Sequence, residues 1–338
     1  MICFASDNRA AVHPKVMEAL SAANTGHAPS YGEDMWTQRL DQQLNELFGR
    51  EAYPFVMFSG TGSNVAAMAH LTMGYSAVIC TDISHMNTNE TGAPERVACI
   101  KLLPVTHKDG KLNAEDIEKH ISALGNEHHA QPYIVSVTQS TELGTVYTPD
   151  ELKLICDTAH NYGMQVYMDG ARIANAAAYL NVPIADMTVN AGIDAVCFGG
   201  TKNGMMYGEC LIFFDKQIGE RFIFTRKNVA QLPSKSRYIS AQFLSLLEND
   251  LWLSTARHAN ECAQYLADEL KGFKDIKIAF PVQTNQIFFK LNKQKAKELQ
   301  KDFLFYEIDG LYRIVTSFDT RKEEADAFIH KLQSIGCR

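Results

Sequence analysis

The feature that most limits what this chain can fold into is a repeated alternation: a short apolar run, a polar or glycine-rich turn, then a longer stretch with helical spacing. The apolar runs fall at residues 55–58, 77–80, 133–137, 166–168 and 195–198. Short runs of this composition suit strands, and the segments between them are long enough for crossover helices. Strands that alternate with helices build an α/β domain with a mainly parallel sheet. Before the first run, Pro14 opens one predicted helix, a position proline favours, and residues 37–47 form a second. Further helices are predicted over 64–71, 114–124 and 150–160. From about Lys216 to Ala267 the pattern is mostly helical; strands follow at 286–291 and 312–315, and a closing helix at 323–332. The chain's 338 residues exceed the roughly 250–300 at which single cores stop growing. The expected division is a large domain over 1–245, including the N-terminal segment, and a smaller C-terminal α/β domain over 246–338.

Composition removes several classes of function. Asp and Glu outnumber Lys and Arg by 39 to 32, and a net charge of -7 gives no general attraction to nucleic acid or to acidic membranes. No stretch approaches the roughly 18 unbroken apolar residues of a spanning helix, and the first residues have no secretory pattern. The eight cysteines are far apart, form no C-x-x-C pair, and in several cases sit inside apolar runs, which reads as a cytoplasmic protein with buried thiols. No metal and no nucleic-acid or membrane partner is expected.

In open α/β sheets ligands bind beyond the carboxyl ends of the strands, where loops and helix N-termini supply polar groups. That rule selects Ser59-Gly60-Thr61-Gly62-Ser63-Asn64, His85, Asp169, and Gly199-Gly200-Thr201-Lys202. The first loop suits a phosphate through small residues and free backbone N–H groups, although its spacing matches neither nucleotide-binding glycine motif and a capped turn reads equally well. Asp169 ends a strand three residues before Arg172, which is within reach of it, and an isolated Asp there is more often a cap or ion-pair partner. Lys202 stands among Gly199, Gly200 and Gly204, where an exposed loop lysine is the plainer reading. Together, a phosphate loop, a strand-end Asp and a strand-end Lys are what pyridoxal phosphate requires: the lysine forms the Schiff base, the aspartate pairs with the ring nitrogen, and the loop holds the phosphate.

The motifs Ser6-Asp7-Asn8, Tyr31-Gly32-Glu33-Asp34, SGTGSN at Ser59, SHMNTNETGAPE at Ser84, TQSTELGTVYT at Thr138, MDGARIANA at Met168, FGGTKNG at Phe198 and RIVTSFDT at Arg313 run in order along nearly the whole chain. They make it resemble the threonine aldolase group of fold type I pyridoxal phosphate enzymes, and most closely its phenylserine aldolase branch. The resemblance implies that Lys202 holds the cofactor, Asp169 faces the pyridine nitrogen, Gly60, Thr61 and Gly62 bind the phosphate, and His85 stacks on the ring. It also implies that Ser6, Arg172 and Arg313 hold the substrate carboxylate, in keeping with the bidentate preference of guanidinium. Lys227 and Arg237 are implied to reach the site of a neighbouring subunit in a homodimer or homotetramer.

The same resemblance implies reversible cleavage of L-β-hydroxy-α-amino acids, such as threonine, allo-threonine or phenylserine, to glycine and an aldehyde. Glu142 stands where many threonine aldolases carry a histidine near the substrate hydroxyl. His128, four residues before Pro132, matches a histidine of the phenylserine branch, and an exposed loop histidine is an equal reading of it. His85 and His128 are the candidates for the hydroxyl base. Two other functions stay open: a β-eliminating lyase releasing ammonia and a keto acid, and a non-catalytic pyridoxal phosphate-binding homologue, against which Lys202, Asp169, Arg172 and Arg313 together argue.

Overall fold

The structure, a computed structural model, describes residues 1–337. The N-terminal strand β1 (Ile2–Cys3) is followed by the helices α1 (Pro14–Ala23) and α2 (Met35–Phe48), then by a seven-stranded sheet. Its strands are β2 (Tyr53–Met57), β3 (Ser76–Thr81), β4 (Lys101–Val105), β5 (Gln131–Thr138), β6 (Gln165–Gly170), β7 (Ala195–Gly199) and β8 (Glu209–Phe213), in the order β2-β8-β7-β6-β5-β3-β4. Strands β4, β3, β5, β6 and β7 pair in parallel, and β8 runs antiparallel to both its neighbours, so it alone is reversed. This is the α/β architecture with a mainly parallel sheet that the alternation predicts.

Side chains of one strand alternate between the two faces, and the core divides accordingly. Val166, Met168, Val196 and Phe198 pack in one cluster with residues of α2, of α7 (Pro149–Asn161), of α8 (Ile173–Leu180) and of α10 (Arg237–Leu247). Tyr167, Ala195 and Cys197 face the other side, against α3 (Gly60–Leu71) and Phe222 of α9 (Lys216–Asn228). Shorter helices α4 (His85–Thr88), α5 (Ala93–Ala98) and α6 (Ala114–Glu118) connect the strands on the β3 and β4 side. The helix predicted over 114–124 is shorter than expected: α6 ends at Glu118 and a separate 3-10 turn covers Ile121–Ala123.

The 20-residue helix α11 (Leu251–Leu270), about 30 Å long, belongs to both parts of the molecule. Trp252 and Ala256 pack in the large core; Ala263, Leu266, Ala267 and Leu270 pack in a second core. That second core lies over an antiparallel sheet, β12-β13-β10-β9, made of β9 (Lys277–Ile278), β10 (Gln286–Lys290), β12 (Tyr306–Ile308) and β13 (Leu311–Val315), with β11 (Phe303–Leu304) pairing elsewhere. Helices α12 (Lys293–Leu299) and α13 (Lys322–Ser334) complete it. The cut drawn at 245/246 falls inside α10, whose Leu246 lies in the large core. The N-terminus also crosses that division: β1 pairs in parallel with β11, and Phe4 stacks against Phe303 and edge-on to Phe328. Pinning the first residues to the small core brings Ser6 and Asp7 to the junction between the two parts.

Candidate active site

A cleft of about 360 Å³ opens at the carboxyl edge of the large sheet. Strand β2 delivers Phe58 and Ser59, and α3 begins at Gly60. Ser59 is extended (φ -154°, ψ 160°) and its hydroxyl accepts the Gly62 N–H at 3.1 Å, which caps the helix. The first amides of a helix have no intrahelical acceptor, and with Gly60 and Thr61 on the cleft wall they form a cradle for an anion. Gly62 is also covered by the Gln231 side chain, whose Oε1 accepts the Phe58 N–H at 3.2 Å.

One turn into α3, Asn64 organises the floor. Its amide nitrogen donates to Asp169 Oδ2 at 2.9 Å and to Glu90 Oε1 at 2.8 Å, while its oxygen accepts the Tyr167 hydroxyl at 2.6 Å. Tyr167 and Asp169 are two apart on β6 and so share a face. The other Asp169 oxygen accepts the Ala171 N–H at 3.0 Å. Glu90 Oε1 also lies 2.8 Å from His85 Nδ1, and this hydrogen bond raises the imidazole pKa against the opposing effect of burial, with the Asp169 charge adding to the rise.

Strand β7 ends at Gly199, and Lys202 sits in the turn Thr201–Asn203 that follows. A Cβ on Gly199 would meet the Ala171 carbonyl oxygen at 2.6 Å, so only glycine lets the lysine turn approach β6 this closely. Asn203 anchors the turn to α11, donating to the Trp252 carbonyl and accepting from Thr255, both at 2.9 Å. Because β8 is reversed, its first residue, Glu209, returns to the same edge and accepts the Gly200 N–H at 2.7 Å. Burial pushes the Glu209 carboxyl up to about 7, although Thr201, Gly200 and the charge of Lys202 oppose the rise.

Arg172 does not pair with Asp169, the partner its spacing offers. It forms a two-point bridge to Asp7, with Nε to Oδ2 at 2.7 Å and Nη2 to Oδ1 at 2.9 Å, and Asn285 donates to the same carboxylate at 3.0 Å. Burial alone would raise the Asp7 carboxyl; the charge and hydrogen bonds of Arg172, helped by Lys202 and Asn285, hold it below the ordinary carboxylate range. Arg313 reaches the same junction from β13: its Nη2 donates to the Ala5 carbonyl at 3.3 Å, and its Nε is buried without a partner. Burial, then the neighbouring Arg172 charge, lowers the Arg313 pKa. Ser6 lies between Ala5 and Asp7 in the chain, its hydroxyl 3.5 Å from Asp7 Oδ1.

Gly62, Ser6 and Arg313 are not among the residues that line the cleft, and three further sequence-derived candidates lie away from it. His128 is exposed in the loop before β5, at the amino end of the strand whose carboxyl end, Thr138, enters the site, and its ion-pair neighbour is Glu127 at 3.9 Å. As a hydroxyl base for this chain's own cleft it is corrected: an eight-residue strand, roughly 26 Å long, separates it from the floor. Lys227 stands over the Tyr31 ring at 5.0 Å, and Arg237 hydrogen-bonds the Thr25 and Gly26 carbonyls, on a surface apart from the cleft lining. Conversely, Glu90, Tyr167 and Glu209 were not singled out from sequence, and Asn64 entered only as the end of the Ser59–Asn64 loop, without a role of its own. Tyr167 had a legible signal, two residues before Asp169 on one strand; Glu90 and Glu209 had none that distinguishes them from surface acids. A larger cavity of about 470 Å³ lies over α7, but its charged groups Lys111 and Glu151 satisfy each other at 2.8 Å, so size does not select the site.

A parallel sheet with one reversed strand, a helix N-terminus beside a strand-end carboxylate, and a lysine turn facing both define the fold type I pyridoxal phosphate enzymes. The residues present fit that cofactor: a free helix N-terminus for its phosphate, the doubly hydrogen-bonded Asp169 for its ring nitrogen, His85 as a ring on one wall, and Lys202 as the amine. A profile of the β-eliminating lyase family matches residues 4–294. The low-specificity L-threonine aldolase of Pseudomonas sp. (strain NCIMB 10558) is 39% identical over 323 residues, covering 94% of this chain and 93% of that protein. The Pseudomonas aeruginosa enzyme of the same name is 39% identical over 321 residues, with the same coverage. A solved structure of Leishmania major threonine aldolase matches with a TM-score of 0.94 at 29% identity, covering 99% of each chain. The chain belongs to the β-eliminating lyase family and, within it, to the low-specificity L-threonine aldolases; it is a pyridoxal phosphate-dependent lyase. Sphingomonas wittichii serine palmitoyltransferase shares the fold alone, with a TM-score of 0.76 at 15% identity, over 99% of this chain and 87% of that one. Among the described residues, no helix is long and apolar enough to cross a membrane.

Proposed function

We propose that this protein cleaves L-β-hydroxy-α-amino acids, threonine, allo-threonine or phenylserine, reversibly to glycine and an aldehyde. The observation that carries the reading is the shared cleft: Lys202, Asp169, the α3 N-terminus and Arg172 line one space, with Arg313 behind Arg172, in a chain aligned end to end with low-specificity threonine aldolases. Bound pyridoxal phosphate supplies an electron sink for the pair left at Cα when a bond to it breaks. Lys202 holds the cofactor through its amine, Asp169 keeps the ring nitrogen protonated, and Gly60, Thr61 and Gly62 take the phosphate. Ser6, Arg172 and Arg313 grip the substrate carboxylate and set which Cα bond stands perpendicular to the ring. His85, steadied by Glu90, walls the cleft.

We read Lys227 and Arg237 as belonging to a homo-oligomeric assembly, in which they serve a partner's phosphate site. Lys227 is exposed and Arg237 half-buried, both away from this chain's own cleft, and that supports the reading. A cytoplasmic location agrees with the eight free cysteines.

Product analysis tests the reaction. With L-threonine or L-phenylserine, glycine and acetaldehyde or benzaldehyde are expected without stoichiometric ammonia. Ammonia and 2-oxobutanoate from threonine, with no glycine, would favour the β-eliminating alternative.

A further inference from the structure

One acceptor on the wall of the cleft has nothing to accept. Glu142 lines the cleft beside His85, Thr138 and Ser140. Its Oε1 is held by two donors, the backbone N–H of His85 at 2.9 Å and the Thr138 hydroxyl at 2.9 Å. Its Oε2 is buried and has no partner in the protein. Leaving a buried acceptor unpaired costs roughly 1–3 kcal/mol, more if it is charged. Turning the carboxylate away would sacrifice both bonds to Oε1, so the fold sustains an oxygen that a ligand donor would satisfy.

The other carboxylates lining the cleft are already committed, and so is one nitrogen of His85. Asp169 has a donor on each oxygen, Glu209 holds Gly200 and Thr201, and His85 Nδ1 is engaged by Glu90. Glu90 also pushes His85 toward its protonated form, in which an imidazole donates rather than accepts. Around Glu142, burial first and the Asp169 charge second raise the carboxyl to about 7, while Thr138 and the backbone amides oppose the rise. Such a group takes and returns a proton near neutral pH.

The geometry points to Glu142 as the residue that binds the β-hydroxyl of the amino-acid substrate and takes its proton as the Cα–Cβ bond breaks. This rests on the aldolase reading above. The hydroxyl proton moves to Glu142 Oε2, and the O–H electron pair becomes the second bond of the aldehyde carbonyl. The Cα–Cβ pair stays on Cα, for which pyridoxal phosphate, when bound, would supply the electron sink. A proton from solvent then completes glycine, and Glu142 returns its own proton to solvent. No oxidant or reductant enters.

The test compares two rates in the holoenzyme: cleavage of L-phenylserine, read as benzaldehyde, and exchange of the glycine α-hydrogen in D2O, read by proton NMR. Exchange uses the same cofactor and carboxylate grip but involves no β-hydroxyl. In Glu142→Gln the ratio of cleavage to exchange is expected to fall at least about 100-fold, with Glu142→Asp recovering part of it. Rapid-mixing titrations of the cofactor absorbance give a readout that is not turnover: the preference for L-threonine over 2-aminobutyrate, which lacks the hydroxyl, is expected to shrink about tenfold in Glu142→Gln. A ratio and a preference both within threefold of the parent overturn the proposal. So does joint loss of cleavage and exchange in the cofactor-loaded variant, which would make Glu142 a brace for His85. If the parent enzyme exchanges glycine but cleaves neither phenylserine nor threonine, the aldolase reading fails, and the proposal falls with it.

Discussion

Around Asp169 the amide of Asn64 makes three hydrogen bonds, to Asp169, Glu90 and Tyr167, whereas at the face toward the smaller part Arg313 Nε, Asn285 Oδ1 and Gln286 Oε1 are buried without partners. The first region is a platform in which the Asn64 amide and both Asp169 oxygens are satisfied, although Glu90 Oε2 stays unpaired, and that suits a group that stays through every turnover. The second lies where β10, β13 and the N-terminal segment meet, and its unpaired donors and acceptors are not among the residues that line the cleft. The contrast teaches that stability and binding are separated within one molecule, with residues of the platform stabilising the fold and residues of the junction costing it some stability.

Replacement of Lys202 by Ala gives the largest expected effect and breaks the comparison if it fails. Turnover should be lost, while the platform and the α3 N-terminus still retain cofactor measurable by absorbance. Borohydride reduction of the parent enzyme followed by peptide mapping should place the label on Lys202; a label on Lys227 or another lysine would overturn the assignment. Next comes Asp169→Asn, which keeps the hydrogen-bond shape but removes the charge. The rate is expected to fall about 10²–10³-fold, with little change in Tm. A large drop in Tm with near-normal turnover would mean that the platform serves folding alone.

Glu209 sharpens the contrast through pH. Its folded pKa of about 7 lies above the ordinary carboxylate value, so the native state binds more protons than the unfolded chain between roughly pH 4.5 and 7. Its contribution therefore turns unfavourable as pH rises through that window, is absent below it, and is fully present above it, at about 3 kcal/mol for a buried group. In cofactor-free protein, Glu209→Gln should be about that much more stable than the parent at pH 8 and equal to it at pH 4.5, by denaturant unfolding. Equal stability at both pH values would remove Glu209 as a source of strain. The smallest expected effect lies at the junction: Arg313→Lys should raise KM about tenfold, because an ammonium cannot reproduce a guanidinium fork, without lowering Tm. An unaltered KM would place the substrate carboxylate elsewhere.

Much of this was legible in the sequence because it depends on local periodicity. Pro14 starts α1 and the five apolar runs are five strands of the large sheet, since the strand period and helix-start chemistry are properties of a few neighbouring residues. Strand β4 escaped because Lys101 and Pro104 interrupt its pattern, and both are tolerated only because β4 is the sheet edge. Strand β8 escaped too, and its reversal is what returns Glu209 to the site; direction depends on pairing partners and leaves no local mark.

By itself the sequence determined the alternation of strands and helices, the glycine turns around Lys202, and the loop that becomes an anion cradle, because each follows from backbone freedom and side-chain spacing over a few residues. Only the tertiary structure decided which charges meet. It joined Arg172 to Asp7, 165 positions away, rather than to Asp169 three positions away; it gathered Asn64, Glu90 and Tyr167 under one carboxylate; and it left His128 at the far end of β5. Pairing between distant residues is set by how the sheet, α11 and the N-terminal strand pack, and that is a property of the whole fold rather than of any segment.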